Sequence, residues 1–164
     1  MLKRSPRLAF ALGAIACSFL LGYGFYLQYH DGQNPCPLCL VQRGFYFALL
    51  FVFLAAALHG PKKTASVVYG LLGLLFSLGG AATAGRQVWL QHLPPDKVPK
   101  CGPDLYFMLD NFPLSKTITN LLRGSGECAE VTWRFLGLSI AEWSLVWFVI
   151  FGVLSLWAAL TRAR

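Results

Sequence analysis

Four long stretches without a charged side chain constrain the fold of this chain more than any other feature. They cover residues 8–29, 44–61, 64–85 and 143–161, and about 20 residues of helix are enough to cross roughly 30 Å of hydrocarbon. Charged residues make up only 13% of the chain and hydrophobic residues 56%, whereas a soluble domain carries about 25% charged residues. The sequence therefore predicts an all-α membrane protein, a four-transmembrane-helix bundle that forms a single integral membrane domain over residues 1–164.

When the uncharged stretches are adjusted to include the expected ends of the helices, the sequence divides into four spans and two outer loops. The spans run from about 8–29, 41–60, 64–86 and 142–161, and the loops from about 30–40 and 87–141. The first span is not predicted to be a cleaved signal sequence, because its apolar run continues well past Cys17 and a signal core holds only about 7 to 15 residues. The link between the second and third spans is very short, so these two spans form an antiparallel hairpin.

Basic residues are unevenly distributed between the two ends of these spans. The N-terminus, the link between spans two and three, and the C-terminus hold seven basic residues and no acidic one: Lys3, Arg4, Arg7, Lys62, Lys63, Arg162 and Arg164. With an even number of spans, these three segments lie on one side of the membrane. The remaining segments balance seven basic residues against seven acidic ones, so the whole net charge of +7 falls on one face. The positive-inside rule assigns that face to the cytoplasm, and a nucleic-acid role gains no support from the charge.

The second outer loop is the only long polar segment. Three prolines in residues 93–99 predict that its first part is extended. Residues 114–122 then carry apolar side chains at helical spacing and end before Gly124. Such a short amphipathic helix lies flat on the bilayer surface or packs on the mouth of the bundle, and the pattern fits both equally. Ser139 and Glu142 have the spacing of a capping box that starts the fourth span.

This topology sorts the five cysteines into two groups. Cys17 lies inside the first span, where it is expected to pack as a small apolar side chain. Cys36 and Cys39 precede the second span, and Cys101 and Cys128 lie in the long outer loop. Four cysteines thus face an oxidising compartment such as the bacterial periplasm, where disulfides persist.

Zinc binding and inert stapling are two other uses of these four cysteines. Structural zinc sites draw on two closely spaced ligand pairs, and Cys101 and Cys128 are far apart in the chain. Stapling is the ordinary role of a loop disulfide such as one between those two residues. A disulfide between Cys36 and Cys39, however, closes so small a loop that it removes little chain entropy. That pair is therefore better explained as redox-active.

The residues around the Cys-x-x-Cys pair favour a thiolate. The residue before a proline avoids the helical region, so Cys36 is expected just outside the helix, and Pro37 suits the first helical position. Cys39 then falls in the first turn, where unpaired N–H groups and the helix dipole favour an anion. Arg43 follows one turn later on the same face, and a guanidinium near such a thiol is expected to hold a thiolate. The other interpretation of Arg43 is an interfacial arginine that reaches lipid headgroups.

The sequence resembles a known family at the residues just described. CPLCLVQR, residues 36–43, resembles the CxLCxxxR signature of the DsbB disulfide-forming membrane oxidoreductases, and CAEVTWRFLGLSIAEW, residues 128–143, is similar to the segment after their last loop cysteine. The resemblance covers essentially the whole chain. It implies a quinone-dependent protein-disulfide oxidoreductase of the bacterial inner membrane, with both termini cytoplasmic and the active cysteines periplasmic. It also implies a DsbA-like periplasmic thioredoxin-fold partner and a quinone cofactor, either ubiquinone or menaquinone.

The same resemblance implies a role for each site residue. Cys101 accepts the attack of the partner's thiolate, and Cys128 is its disulfide mate and leaving thiol. Electrons pass by thiol–disulfide exchange to Cys36 and Cys39, and Cys39 donates them to the quinone. Arg43 stabilises negative charge that develops on a quinone oxygen. Two weaker candidates for contact with the quinone are His92 and Arg86.

Two other functions stand beside this one. The alternative is a non-catalytic membrane subunit whose outer loops carry structural disulfides. An electron conduit to the cytoplasm would need a thiol route through the bilayer, which the single Cys17 does not provide. The sequence also leaves open which of the three possible pairings of the four outer cysteines is present at rest.

Overall fold

A computed structural model of the chain describes residues 6–32, 35–98, 107, 110–124 and 126–163. In this part of the chain the helices are α1 (Pro6–His30), α2 (Pro37–His59), α3 (Lys63–Gln91), α4 (Leu114–Arg123) and α5 (Ile140–Ala163). Two short strands, β1 (Arg134–Phe135) and β2 (Leu138–Ser139), and two 3₁₀ turns, Pro95–Lys97 and Gly126–Cys128, lie in the second loop.

Four of these helices, α1, α2, α3 and α5, are long and apolar enough to cross a membrane. The predicted four-transmembrane-helix bundle is confirmed, and the chain is a multi-pass membrane protein. The short helix α4 belongs to the second loop. It ends before Gly124, which has a φ of +77° and donates its N–H to the carbonyl oxygen of Asn120 at 3.2 Å. The helix end predicted at Gly124 is therefore confirmed.

Local chemistry fixes where two of the spanning helices begin. Cys36 is the extended N-cap of α2, with φ −66° and ψ 163°, and Pro37 is the first helical residue, as predicted. At the start of α5 the Ser139 N–H donates to Glu142 Oε2 at 2.7 Å, and the Glu142 N–H donates to Ser139 Oγ at 3.3 Å. These reciprocal hydrogen bonds confirm the capping box. The opposite end of α2 stops at Gly60, whose left-handed φ of 59° suits glycine.

The third helix runs further than the predicted span. α3 continues to Gln91 instead of ending near residue 86. Gln87 and Leu90 are both buried, because their helical spacing keeps them on the face of α3 that packs against its neighbours. Residues 87–91, which the sequence assigned to the outer loop, thus continue α3 and belong to the bundle.

The start of the second loop is less extended than its prolines predicted. Residues 95–97 form a 3₁₀ turn in which the Lys97 N–H donates to the carbonyl oxygen of Pro94 at 2.9 Å. The expectation of an extended segment is wrong here, because the fixed φ of proline suits the first position of a turn as well as an extended chain. Pro99, the third proline of that expectation, lies outside the described residues.

Small residues of α3 allow its close, antiparallel contact with α5. A Cβ atom at Gly70 would lie 2.7 Å from the carbonyl oxygen of Ser155, and one at Gly80 would overlap the ring of Phe148. Glycine therefore lets the two backbones approach where lipid provides no hydrophobic drive for association. Beside this contact lies the buried core, whose largest members are Phe10, Phe53, Phe148 and Phe151. Cys17 is fully buried in the same core, as expected of a packing residue.

The second loop returns to the end of the bundle that carries Cys36, which we call the thiol end. The 3₁₀ turn Gly126–Cys128 lies against α2 and α3. After it, β1 and β2 form an antiparallel hairpin in which Arg134 pairs with Ser139 and Phe135 with Leu138. The thiol end is therefore built from the start of α2, the last turns of α3 and this returning segment.

Candidate active site

Two thiols of the site lie at the start of α2. Cys36 is the N-cap residue, and its Sγ accepts the N–H of Cys39 at 3.4 Å. The two sulfur atoms are 3.1 Å apart, with the Cys36 thiol donating to Cys39 Sγ. Both residues are free cysteines in the structure. One helical turn thus holds the two sulfurs in contact, which suits a pair that exchanges between dithiol and disulfide.

A third thiol meets this pair from the second loop. Cys128 is fully buried, with Leu38 of α2 and Leu90 of α3 in the same apolar cluster. Its side chain is hydrogen-bonded to Cys36, and this contact raises the pKa of the Cys36 thiol. The hydrogen bond to Cys39 and burial act in the same direction. Cys36 therefore contacts both of the other thiols, and these contacts favour its protonated form.

Two buried glutamines complete the surroundings of the sulfurs. Gln87 of α3 is 4% exposed and Gln42 of α2 is 3% exposed, and Gln42 Nε2 donates to Gln87 Oε1 at 2.7 Å. Gln87 Nε2 lies 3.3 Å from Cys39 Sγ and 3.5 Å from Cys36 Sγ. Neither glutamine was identified from the sequence. The signal that points to Gln42 is a polar side chain within a predicted span, where such a group is costly without a partner. Gln87 lies just past the predicted end of the third span, so this signal does not apply to it.

Arg43 lies one turn below Cys39 on α2, and its guanidinium reaches across to α1. Its Nη2 donates to the carbonyl oxygen of Gly24 at 2.9 Å, and its Nη1 donates to Gln28 Oε1. The guanidinium also stands over the ring of Phe25, 4.9 Å from the centroid. It interacts electrostatically with Cys39. Arg43 therefore joins α1 to α2 and places a positive charge near the thiols.

A cavity of about 820 Å³ opens beside these groups. Residues of α1, α2, α3, α5 and the returning loop line it. Its apolar wall includes Leu20, Leu21 and Leu27 of α1, and its polar wall includes Gln28, Cys36, Cys39, Gln42, Arg43, Gln87 and Gln91. The volume is in the range of about 300 to 1,000 Å³ that is usual for small-molecule sites. The thiols, a guanidinium and several amides thus converge on one pocket.

His92 and Arg86, the weaker candidates from the sequence, lie at the end of α3 outside the cavity lining. His92 is exposed at the end of α3, and its Nδ1 lies 2.8 Å from the carbonyl oxygen of Val88. The guanidinium of Arg86 stands over the ring of Trp89 at 4.2 Å. His92 and Arg86 are not among the described residues that line the cavity. Cys101 lies outside the described residues.

Comparison with known proteins gives a consistent picture. Residues 6–158 match the family described as disulfide bond formation protein DsbB. The chain is 51% identical to disulfide bond formation protein B of Nitrosococcus oceani over 156 residues, which cover 95% of this chain and 92% of the relative. It is 53% identical to disulfide bond formation protein B of Hahella chejuensis over 152 residues, which cover 93% and 91%. The protein of the same name from Methylococcus capsulatus is 49% identical over 152 residues, 93% of each chain.

Proposed function

The chain belongs to the DsbB family of disulfide bond formation proteins, and from this premise we propose that it reoxidises a DsbA-like dithiol protein and passes the electrons to a membrane quinone. The observation that carries the proposal is the meeting of Cys36, Cys39 and Cys128 beside a cavity that Arg43 also lines. A site for thiol–disulfide exchange needs sulfurs in contact. A site for a membrane acceptor needs a cavity beside them that can hold its head group. The thiol end offers both.

The proposed location is the bacterial inner membrane, with both termini cytoplasmic and the thiol end periplasmic. The seven basic residues of the termini and of the α2–α3 link support this orientation. The proposed thiol–disulfide exchange also requires this orientation, because disulfides persist in the periplasm. Lys62 and Lys63 lie at the opposite end of α2 and α3 from Cys36. The basic residues and the thiols therefore lie on opposite sides of the membrane in this proposal.

The energetics explain why such a protein is built into a membrane. A DsbA-type oxidant has a potential of about −120 mV, and a glutathione pool near −200 mV lies about 80 mV too low to reoxidise it. That difference is roughly 4 kcal/mol uphill for two electrons. A stronger acceptor is needed, and the lipid phase contains one in its quinone pool.

The proposed exchange moves two electrons from the partner to the α2 thiols. The partner's thiolate attacks Cys101 of a Cys101–Cys128 disulfide, which forms a mixed disulfide and frees Cys128 as a thiolate. Cys128 then attacks Cys36 of a Cys36–Cys39 disulfide, and Cys39 leaves as a thiolate. The partner's second thiolate releases Cys101, which attacks Cys128 and restores the loop disulfide. Cys36 and Cys39 are left reduced, and the contact between Cys128 and Cys36 supports the central step.

The residues around the cavity fit a quinone head group. The leucines of α1 provide an apolar wall, and the guanidinium of Arg43 provides a charge for a polar ring oxygen. When bound there, the quinone supplies an acceptor for two electrons and two protons. Cys39 is the sulfur that we assign to face it, because Cys36 is engaged by Cys128. His92 and Arg86 receive no part in holding the quinone, since neither lines the cavity.

One experiment tests the proposed function directly. Purified protein is mixed with a reduced DsbA-like partner, and quinone reduction is followed by absorbance. In parallel, the oxidised wild-type protein is mixed with a reduced partner whose second cysteine is replaced by serine, and a covalent adduct with Cys101 is sought on a non-reducing gel. The partner's remaining thiolate can attack the Cys101–Cys128 disulfide, but no second partner thiolate is left to release Cys101. We expect steady quinone reduction with the intact partner and a trapped adduct with the single-cysteine partner. If neither is seen, the non-catalytic membrane subunit with structural disulfides becomes the better description.

A further inference from the structure

The side chain of Gln87 contacts both sulfurs at the start of α2. Its Nε2 lies 3.3 Å from Cys39 Sγ and 3.5 Å from Cys36 Sγ. Its Oε1 lies 3.6 Å from Cys39 Sγ and accepts from Gln42 at 2.7 Å. One amide therefore offers a donor to either sulfur and an acceptor to a Cys39 thiol.

Gln42 fixes which way this amide points. The shortest contact in the group is the hydrogen bond from Gln42 Nε2 to Gln87 Oε1. An amide nitrogen has hydrogens to donate and no acceptor capacity, so Gln42 Nε2 requires the oxygen of Gln87 on its side. The NH₂ group of Gln87 is then left to face the sulfurs. Both glutamines are buried, so water does not compete strongly for these groups.

The two sulfurs do not benefit equally from the donor. Gln87 Nε2 is closer to Cys39 than to Cys36, and Cys36 is additionally hydrogen-bonded to Cys128. An N–H donor stabilises a thiolate more than a thiol, because hydrogen bonds to charged groups are the stronger ones. A neutral amide achieves this without carrying a proton of its own to titrate. The arrangement thus distinguishes Cys39 from Cys36 by hydrogen bonding.

We propose that Gln87, oriented by Gln42, is a positioning residue that places the negative charge of the reduced pair on Cys39. The inference deepens the proposed function, since Cys39 is the thiol assigned to face the acceptor. Arg43 supplies the general positive charge of the site, and its N–H groups bind Gly24 and Gln28 of α1. Gln87 supplies the directed donor.

The test measures the reduced full-length protein in detergent, without quinone or partner. The rate of alkylation of Cys39 by iodoacetamide is measured against pH, with fragment-ion mass spectrometry separating Cys39 from Cys36. Only the thiolate reacts, so the rate reports the ionised fraction. The other ionisable groups around the pair, kept in every variant, are Cys36, Cys128, Arg43, Tyr46, Glu127 and Glu130.

The Gln87→Leu variant removes the donor, and we expect Cys39 to react about tenfold more slowly at neutral pH, since a hydrogen bond to a charged group has roughly this effect. The matched control is Thr83→Val, one turn earlier on α3, because Thr83 is also buried but its Oγ1 donates to the carbonyl oxygen of Gly80 at 2.8 Å and it does not line the cavity. The control is expected to leave the Cys39 profile in place. If Gln87→Leu fails to fold, Gln87→Met serves as the second variant, since it keeps the unbranched shape. An unchanged Cys39 profile in a folded Gln87 variant overturns the proposal.

Gln42→Leu tests the orienting step by a double-mutant cycle. On its own it should slow Cys39 alkylation by less than Gln87→Leu does, because the amide then turns freely. In the Gln87→Leu background it should have no further effect. Additive effects of the two changes would show that Gln42 does not act through Gln87.

The outcomes also separate this inference from the proposed function. A wild-type protein that does not reduce quinone, but whose Cys39 profile depends on Gln87, contradicts the proposed function and keeps the positioning role. A protein that reduces quinone with an unchanged turnover rate and an unchanged alkylation profile in Gln87→Leu keeps the function and contradicts the positioning role.

Discussion

The thiol end and the middle of the bundle use the same helices in opposite ways. In the middle, Gly70 and Gly80 of α3 remove side chains so that α5 packs directly on the backbone. At the thiol end, Gln42 and Gln87 meet by hydrogen bonding, and a cavity lined by residues of α1, α2 and α3 opens beside them. The middle of the bundle is therefore closely packed, and the reactive side chains lie at one end. A rigid middle allows polar groups at the end to hold their positions beside an open pocket.

The largest expected effect separates a reactive cysteine from a packing cysteine. Cys39→Ser should abolish quinone reduction, because the α2 pair can no longer form a disulfide. Cys17→Ala should retain nearly full turnover, since Cys17 lies in the apolar core and its loss removes only packing, about 1 kcal/mol of the free energy of unfolding. Both are measured as quinone reduction with reduced partner. Substantial turnover by Cys39→Ser would show that the acceptor is reached from another sulfur.

The middle of the bundle should respond to a single added methyl group. In Gly80→Ala the new Cβ overlaps the ring of Phe148, so we expect the free energy of unfolding to fall by about 1 to 3 kcal/mol. Gly85→Ala is the matched control on the same helix, because a Cβ there meets no atom within 4 Å. Thermal unfolding in detergent compares the two. Equal stabilities would mean that α3 and α5 are not in direct contact at Gly80.

The positive charge at the thiol end should affect acceptor binding. Arg43→Met removes a guanidinium that lines the cavity, and we expect KM for a soluble quinone analogue to rise about tenfold or more, in line with the loss of a hydrogen bond to a charged group. His92→Ala is the comparison, because the exposed His92 bonds its own helix at Val88. It should change KM by less than about twofold, within the range of an exposed change. A larger effect of His92→Ala would place the acceptor nearer the end of α3.

A smaller effect should appear in the pH dependence of stability. The pKa of the Cys36 thiol is raised in the folded protein, chiefly by its hydrogen bond to Cys128. A raised pKa means that the folded state holds this proton more tightly than the unfolded state does, so the stabilisation is complete below the unfolded thiol pKa of about 8.5 and is lost as pH rises above it. The reduced wild type should therefore lose up to about 1.4 kcal/mol per pH unit above about pH 8.5 relative to Cys36→Ser. If the free energies of unfolding of the two proteins change with pH in parallel, the hydrogen bond between Cys36 and Cys128 is contradicted.

Local sequence chemistry predicted the spans and the helix starts, because these depend on neighbours in the chain. Cys36 and Pro37 fix the start of α2 within a few residues, and Ser139 with Glu142 does the same for α5. The same local reasoning placed Cys39 in the first turn. It also indicated which cysteine is buried as a packing residue.

The contacts between helices could not be predicted in the same way. Gln42 and Gln87 meet only because α2 and α3 are antiparallel in a particular register, which also places Phe45 of α2 against Gly79 of α3. Cys128 reaches Cys36 through a loop whose path is not a property of any short segment. Arg43 was expected near Cys39, but its contacts with α1 depend on how that helix packs. His92 was only a weak candidate for quinone contact, and in the structure α3 continues past residue 86, so that Gln87 is buried and His92 is exposed.

The N-cap of α2 has a consequence for how the oxidation state of the protein can be followed. Cys36 Sγ is the acceptor for the Cys39 amide, so the atom that accepts a backbone N–H in the first turn of α2 is also the atom that changes bonding partner in the proposed exchange. Each time that sulfur is drawn toward the loop, the amide loses its acceptor and becomes easier to deuterate. Solvent exchange at this one backbone position would then serve as a built-in reporter of turnover, without any label on the sulfurs themselves.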